Sequence, residues 1–66
     1  MNKQNLNEIK FYRIKQLVEL LNVSKSSIWN WVKDGSFPKP IKLASNVTAW
    51  KAIDIFNWVS SKETLS

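Results

Sequence analysis

The sequence predicts one mainly α-helical domain with a small β-hairpin, built as three helices plus a two-stranded wing. Three observations support this prediction. Apolar residues recur at helical spacing in three segments, an extended segment with two prolines follows the second of them, and apolar and polar residues then alternate. Sixty-six residues leave room for a single domain. We assign residues 12–61 to it, residues 1–11 to a flexible N-terminal leader and residues 62–66 to a C-terminal tail.

The segment from Ile14 to Lys33 predicts two short helices joined by a tight turn. The first helix spans about residues 14–21, and one of its faces carries Ile14, Leu17, Val18 and Leu21. Asn22 tolerates the left-handed backbone conformation and takes the place of a glycine in the turn. Ser24 is the expected N-cap of a second helix over about residues 25–34, and Gly35 its C-terminal cap. This layout is that of a helix-turn-helix, whose second helix enters the DNA major groove.

The outward face of the second helix is the candidate recognition surface. Its residues are polar, cationic or aromatic, and none is acidic: Ser24, Lys25, Ser26, Trp29, Asn30 and Lys33. Asn30 is suited to a bidentate contact with adenine, and Lys25 to guanine or a phosphate. Ser24 and Ser26 lie at the positive end of the helix, where backbone N–H groups favour a phosphate. A helical hairpin with a purely structural role is the alternative.

The four tryptophans fall into two groups. Trp29 points away from the buried stripe of its helix, and we expect it to cover a sugar, a thymine methyl group or a partner. The alternative is that its ring lies over Lys25 or Lys33. The other three coincide with apolar positions of predicted elements and are expected in the core; they are Trp31, Trp50 and Trp58.

The wing follows the prolines. Residues 36–40 cannot be helical, and residues 41–43 and 47–50 then form two strands joined by residues 44–46. We expect the hairpin to lean on the helices through Ile41, Leu43 and Trp50 or their alternates, since a bare hairpin is marginal in water. The candidate phosphate contacts of the wing and its flanks are Arg13, Lys15, Lys39, Lys42, Ser45 and Asn46. The wing tip has no arginine, so it is not expected to read bases, and an ordinary solvated hairpin is an equal alternative.

A third helix is predicted over about residues 52–61, with no good N-cap at its start. Ten basic against five acidic residues give a net charge of +5, which favours a polyanionic partner, although a solvated lysine-rich surface is the simpler alternative. The chain has no cysteine and no histidine, which excludes disulfides and the common zinc sites. Its carboxylates are scattered, so we expect no cofactor and no enzymatic activity. No apolar run approaches the roughly 18 residues of a membrane span, and a cytoplasmic location is expected.

Four stretches carry a resemblance to a known family: Ser24-Lys25-Ser26-Ser27-Ile28-Trp29, the run Asp34-Gly35-Ser36-Phe37-Pro38-Lys39-Pro40-Ile41-Lys42-Leu43, and the pairs Trp50-Lys51 and Trp58-Val59. They resemble the AlpA family of small phage and prophage DNA-binding regulators. The resemblance covers about residues 12–61. It implies a winged helix-turn-helix related to phage excisionases and to the DNA-binding part of MerR-like regulators. It also implies that residues 24–33 are the recognition helix and residues 41–50 the wing.

These observations together predict a sequence-specific, double-stranded DNA-binding transcriptional regulator of prophage or mobile-element genes. The recognition helix would lie in the major groove and the wing on the adjacent backbone or minor groove. One alternative is an excisionase that bends attachment-site DNA together with an integrase. Another is a protein-interaction module that uses Trp29 and the basic face against an acidic partner. Double-stranded DNA is the expected partner, with a phage integrase or a second copy on an adjacent site as further candidates, and neither a membrane nor a small-molecule substrate is expected.

Overall fold

The computed structural model describes residues 10–65 and contains three helices and a three-stranded antiparallel sheet. Along the chain the elements are β1 (Phe11–Tyr12), α1 (Ile14–Leu21), α2 (Lys25–Asp34), β2 (Ile41–Ala44), β3 (Val47–Lys51) and α3 (Ala52–Leu65). The prediction of a mainly helical domain with a small β wing is confirmed. The predicted leader lies outside the described residues as far as residue 9. Within the described residues, no helix combines the length and the apolar character that crossing a bilayer requires.

Local capping contacts set the bounds of α1 and α2. At the start of α1, the Arg13 N–H donates to Gln16 Oε1 at 2.8 Å. Asn22 ends the helix in the left-handed conformation, with φ of 58° and ψ of 47°. Ser24 Oγ accepts the Ser27 N–H at 3.1 Å, and Gly35 ends α2 with φ of 86°. The predicted turn at Asn22 is therefore confirmed, and so are the predicted caps of α2 at Ser24 and Gly35.

The sheet has one strand more than predicted. Its strand order is β1-β3-β2, and Tyr12 of β1 lies opposite Trp50 of β3. This strand begins at Phe11, a residue that the sequence analysis assigns to the leader. A two-residue strand is too short to show a period of two, so only its pairing in the folded chain reveals it. The same pairing compensates for the missing cap of α3, because the Ala52 N–H donates to the Lys10 carbonyl at 2.9 Å.

The prediction that Leu43 leans on the helices is wrong. Lys42 lies opposite Thr48, whereas Ala44 lies opposite Val47, so an irregularity interrupts the ladder at Leu43. A bulge of this kind breaks the alternation of faces along a strand. Leu43 is consequently 48% exposed, and the buried residues of the wing are Ala49 and Trp50.

Helix α3 is longer than predicted and includes most of the residues assigned to the C-terminal tail. Its polar end makes contacts that the apolar spacing does not show. Ser61 Oγ donates to the Trp58 carbonyl at 2.7 Å, and Lys62 Nζ lies 5.1 Å from the centre of the Trp58 ring. A lysine in the last turn also interacts favourably with the helix dipole.

The core joins all three helices to the wing. Its buried residues are Leu17, Ile28, Phe37, Trp50 and Ile55. The Phe37 ring lies among three indoles, with ring centres 6.0 Å from Trp31, 6.2 Å from Trp50 and 4.8 Å from Trp58. The expected core position is confirmed for Trp50, while Trp31 and Trp58 are half-buried at the edge of the core.

The indole N–H groups of Trp50 and Trp58 donate to the segment between α2 and β2. Trp50 Nε1 donates to the Pro38 carbonyl at 2.8 Å, and Trp58 Nε1 donates to the Ser36 carbonyl at 2.7 Å. Among the described residues, no buried side-chain nitrogen or oxygen lacks a hydrogen-bond partner. Trp50 and Trp58 therefore fill space in and beside the core while their indole N–H groups stay hydrogen-bonded.

Two leucines of α1 provide a matched test of this core. Leu17 is fully buried, whereas Leu20, one turn further along the same helix, is 54% exposed. We expect Leu17→Ala to lower the free energy of unfolding by about 2–5 kcal/mol, because it removes buried methyl groups and leaves a cavity. Leu20→Ala should cost less than about 1 kcal/mol. Urea denaturation of the two variants measures the difference. Equal losses of unfolding free energy would contradict the burial of Leu17 and the exposure of Leu20.

Candidate nucleic-acid interface

The exposed side of α2 carries the predicted recognition residues. All six are exposed, including the capping Ser24: Ser24, Lys25, Ser26, Trp29, Asn30 and Lys33. At about 100° per residue, the five within the helix lie on an arc of about 140°. Ile28 and Trp31 pack on the opposite side against the core. The fold therefore brings these side chains together on one face that is accessible to a partner.

The N-terminal end of α2 keeps part of its donor capacity. Ser24 Oγ accepts the Ser27 N–H and lies 2.9 Å from Ser27 Oγ, so its role in the free protein is that of a cap. The backbone N–H groups of Lys25 and Ser26 belong to the first turn, where helix geometry provides no internal acceptor. These two N–H groups and the Lys25 ammonium lie at the positive end of the helix dipole, where an anion is favoured.

Trp29 contributes to the core as well as to the surface. Its side chain is 37% exposed, and its ring centre lies 5.4 Å from that of the buried Trp50, with the planes tilted by 51°. The prediction that it faces away from the buried stripe is thus met only in part. Among the described residues, the lysine over an indole ring is Lys62, which lies over Trp58. The alternative prediction had placed Lys25 or Lys33 over Trp29. Trp29 packs on the wing because β3 carries Trp50 to the side of α2, a contact that helical spacing cannot reveal.

The wing turns one of its faces toward α2. In β3, Thr48 and Trp50 lie two residues apart and share a face, and Lys42 lies directly opposite Thr48. Lys42 therefore occupies the sheet face on which Trp29 packs against Trp50. Thr48, which the sequence analysis did not select, is half-buried on that same face. The sequence signal for Thr48 is its position two residues before Trp50, because side chains at that spacing in a strand share a face.

The remaining candidates lie outside α2. Ser45 and Asn46 form the exposed turn between β2 and β3. Lys39 is exposed in the segment that leads into β2, between two half-buried prolines. Arg13 and Lys15 are exposed at the start of α1, on an element separate from both α2 and the wing. The structure thus leaves all six flanking residues accessible, but it distributes them over three parts of the chain.

The one carboxylate of α2 is held by the residue that follows the helix cap. Asp34 Oδ1 accepts the Ser36 Oγ–H at 2.7 Å and the Ser36 N–H at 3.0 Å. The hydrogen bond from the Ser36 side chain, followed by the one from its backbone, lowers the pKa of Asp34 below its ordinary value of 3.8. Asp34 is therefore charged at neutral pH, and its negative charge lies at the end of α2 opposite to Ser24 and Lys25.

Fold and surface define a class of protein, the small winged helix-turn-helix domains in which a second helix presents polar and basic residues. The chain belongs to the family described as prophage CP4-57 regulatory protein (AlpA), which matches residues 10–63. It is also similar to the uncharacterized protein ORF88 of Enterobacteria phage P4, with 22% identity over 58 residues. That similarity covers 88% of this chain and 66% of the relative, slightly less than two thirds of its length. No solved structure matches the chain at a significant level.

The hydrogen bonds from Ser36 can be tested through the pKa of the Asp34 carboxyl. We expect Ser36→Ala to raise the pKa of Asp34 part of the way back to its ordinary value, because the backbone N–H bond remains. The two hydrogen bonds favour the charged form, so the stability that they contribute is present at neutral pH and is lost as the pH falls through the lowered pKa. Carboxyl-carbon NMR measures the titration, with Ser45→Ala in the wing as a control. An unchanged Asp34 pKa in Ser36→Ala would contradict the assignment.

Proposed function

We propose that this protein is a regulator of prophage or mobile-element genes that binds double-stranded DNA through α2 and the wing. The main support is the exposed face of α2, which gathers two lysines, Asn30 and Trp29 on one side of a helix anchored in the core. Membership in the AlpA family supports the regulatory role. Such a protein acts where its DNA is, which for phage genes is the bacterial cytoplasm, and it needs neither a cofactor nor a catalytic group.

In this proposal α2 lies in the major groove, which is about 12 Å wide and admits a helix. Asn30 lies near the middle of α2 along the helix axis and at one edge of the exposed arc, and we infer that its amide donates to adenine N7 and accepts from the adenine amino group. Lys25 and the free N–H groups of the first turn contact a phosphate at the edge of the groove. Lys33, two turns after Lys25 on the same side, contacts the backbone or a guanine. Asp34 lies at the far end of the helix, away from this phosphate.

The wing adds contacts next to the groove. Lys42 lies on the sheet face that turns toward α2, so its ammonium is placed to neutralise a phosphate of the strand flanking the groove. Thr48, opposite Lys42, adds a hydroxyl donor on the same face. Lys39 precedes the wing, and Ser45 and Asn46 form its tip, where they suit contacts to the sugar-phosphate backbone. The wing then positions the protein, and α2 reads the sequence.

Trp29 has two roles in this arrangement. One side of the indole packs on Trp50 and fixes α2 relative to β3. The exposed part is free to cover a deoxyribose or a thymine methyl group, which would remove it from water. Because Trp29 of α2 packs on Trp50 of β3, it links the two elements that contact DNA in this proposal.

The charge part of this proposal is tested with Lys42. Duplexes selected from a random pool by the wild-type protein serve as the ligand, and affinity is measured by fluorescence anisotropy over a range of salt concentrations. Wild-type binding should weaken steeply with salt because counterions are released from several phosphates. Lys42→Ala should weaken binding to selected and scrambled duplexes alike and reduce the salt slope by about 1. Lys62→Ala, which removes the same charge from the end of α3, is the control and should leave the slope nearly unchanged.

The recognition part is tested with Asn30. Asn30→Ala should lose about 1–3 kcal/mol of discrimination at one base pair, with little change in affinity for scrambled DNA. Asn57→Ala is the matched control, because Asn57 is also an exposed helical asparagine but lies on α3. Repeating the selection with each variant shows which base preference is lost.

Opposite results would overturn the proposal. If Lys42→Ala relaxed the sequence preference and Asn30→Ala weakened all duplexes equally, the roles of wing and helix would be reversed. DNA binding that is absent or insensitive to salt would favour the protein-interaction module instead. A regulator and an excisionase share this surface, so they are separated by a promoter-output assay run beside an excision assay with the integrase of the same element.

A further inference from the structure

The bulge in β2 leaves one residue of the wing without a partner in the sheet. Lys42 lies opposite Thr48 and Ala44 lies opposite Val47, so Leu43 is an additional residue between two paired positions. Bulges re-aim side chains in this way. Leu43 is 48% exposed, and it is not among the residues that form the core or pack against it. The fold therefore presents a large apolar side chain on the wing that the core does not use.

The neighbours of Leu43 in the wing are residues that we propose as backbone contacts. Lys42 precedes it, and the exposed turn of Ser45 and Asn46 follows shortly after it. Residues 39–51 contain three lysines and no carboxylate. This charge favours a polyanionic duplex as the partner of the wing. A wing that brings Lys42 to a phosphate also brings the adjacent Leu43 to the duplex.

The chemistry of Leu43 limits which part of the duplex it can contact. A leucine cannot neutralise a phosphate, so its contact must be with sugars or bases. In the proposed arrangement α2 occupies the major groove, and the wing lies on the strand that separates this groove from the minor groove. Proteins that bind the minor groove insert leucine and similar apolar side chains between base steps, which partly unstacks the bases. The wing has no arginine, which is the side chain that suits a narrow minor groove.

We propose that Leu43 enters the minor groove beside the site of α2 and makes the affinity depend on how easily the base steps there deform. This inference rests on the proposed function, to which it adds a second source of specificity. A-tracts are stiff and have a narrow minor groove, whereas TA steps are flexible and unstack easily. Leu43 therefore favours TA steps over an A-tract without a hydrogen bond to any base.

The flanks of a selected duplex test this inference. The duplex keeps the central sequence that the wild-type protein selects, and each flank in turn is made either an A-tract or a run of alternating T and A. Both kinds of flank present the same acceptors in the minor groove, so they differ there in shape and stiffness. On one side of the central sequence, wild-type protein should bind the alternating flank about 5-fold more tightly, which is roughly the gain from burying the exposed half of a leucine. Fluorescence anisotropy measures the affinities.

Three variants of the full chain assign the preference to a side chain. Leu43→Ser should bind both kinds of flank alike, with about the affinity that the wild-type protein has for the A-tract. Leu43→Met keeps an apolar side chain of similar size and should retain the preference. Leu20→Ser is the matched control, because it changes a leucine of α1 that is 54% exposed, and it should retain the preference as well. Leu43 lies outside the core, so these changes should leave the fold intact, which circular dichroism checks.

The results that would overturn the inference differ from those that would overturn the proposed function. Wild-type protein that binds DNA without distinguishing the flanks would overturn the inference alone. A preference that survives in Leu43→Ser would do the same, because another residue would then produce it. Equal weakening on both kinds of flank would place the Leu43 contact away from the deformable steps and would also contradict the inference. Absence of DNA binding by the wild-type protein would overturn both.

Discussion

Two hydrogen bonds from indole rings hold the segment between α2 and β2, and the wing depends on them. This segment bends at Ser36 and Phe37 and contains two prolines, so it continues neither the helix before it nor the strand after it. The hydrogen bond at Pro38 is partly buried, and a carbonyl there without a partner would cost free energy. Trp58 and Trp50 instead donate to the carbonyls of Ser36 and Pro38, and Phe37 fills the space between the rings. The place where β2 begins is thus set by the core.

The indole of Trp50 also connects the core to the candidate DNA-contacting surface. It is fully buried, lies opposite Tyr12 in the sheet and contacts Trp29 of α2 on the side of the wing. One side chain therefore connects β1, the wing and α2. Small domains bury only about 60% of their unfolded surface, so one large ring with several contacts replaces many small ones.

The sequence was sufficient where the structure depends on neighbours along the chain. The turn at Asn22 and the caps at Ser24 and Gly35 are local, and all three were predicted. Strand β1, the bulge at Leu43 and the contact of Trp29 with Trp50 were not, because each depends on residues distant in sequence. The candidate recognition residues could be chosen from the sequence because they occupy the positions of α2 that do not face the core. How the wing lies beside them required the sheet register.

The exposed face of α2 is mainly polar, whereas the side of the domain formed by α1 and α3 exposes apolar residues. On α2, every exposed candidate except Trp29 is polar or charged, so water solvates this face at little cost in the free protein. On the side formed by α1 and α3, Leu20, Ile53 and Phe56 are exposed at a cost that no hydrogen bond offsets. Neither face is needed to complete the core of the domain. A chain with so small a core stays folded while keeping both faces because its large aromatic side chains supply the packing that further apolar residues would otherwise have to provide.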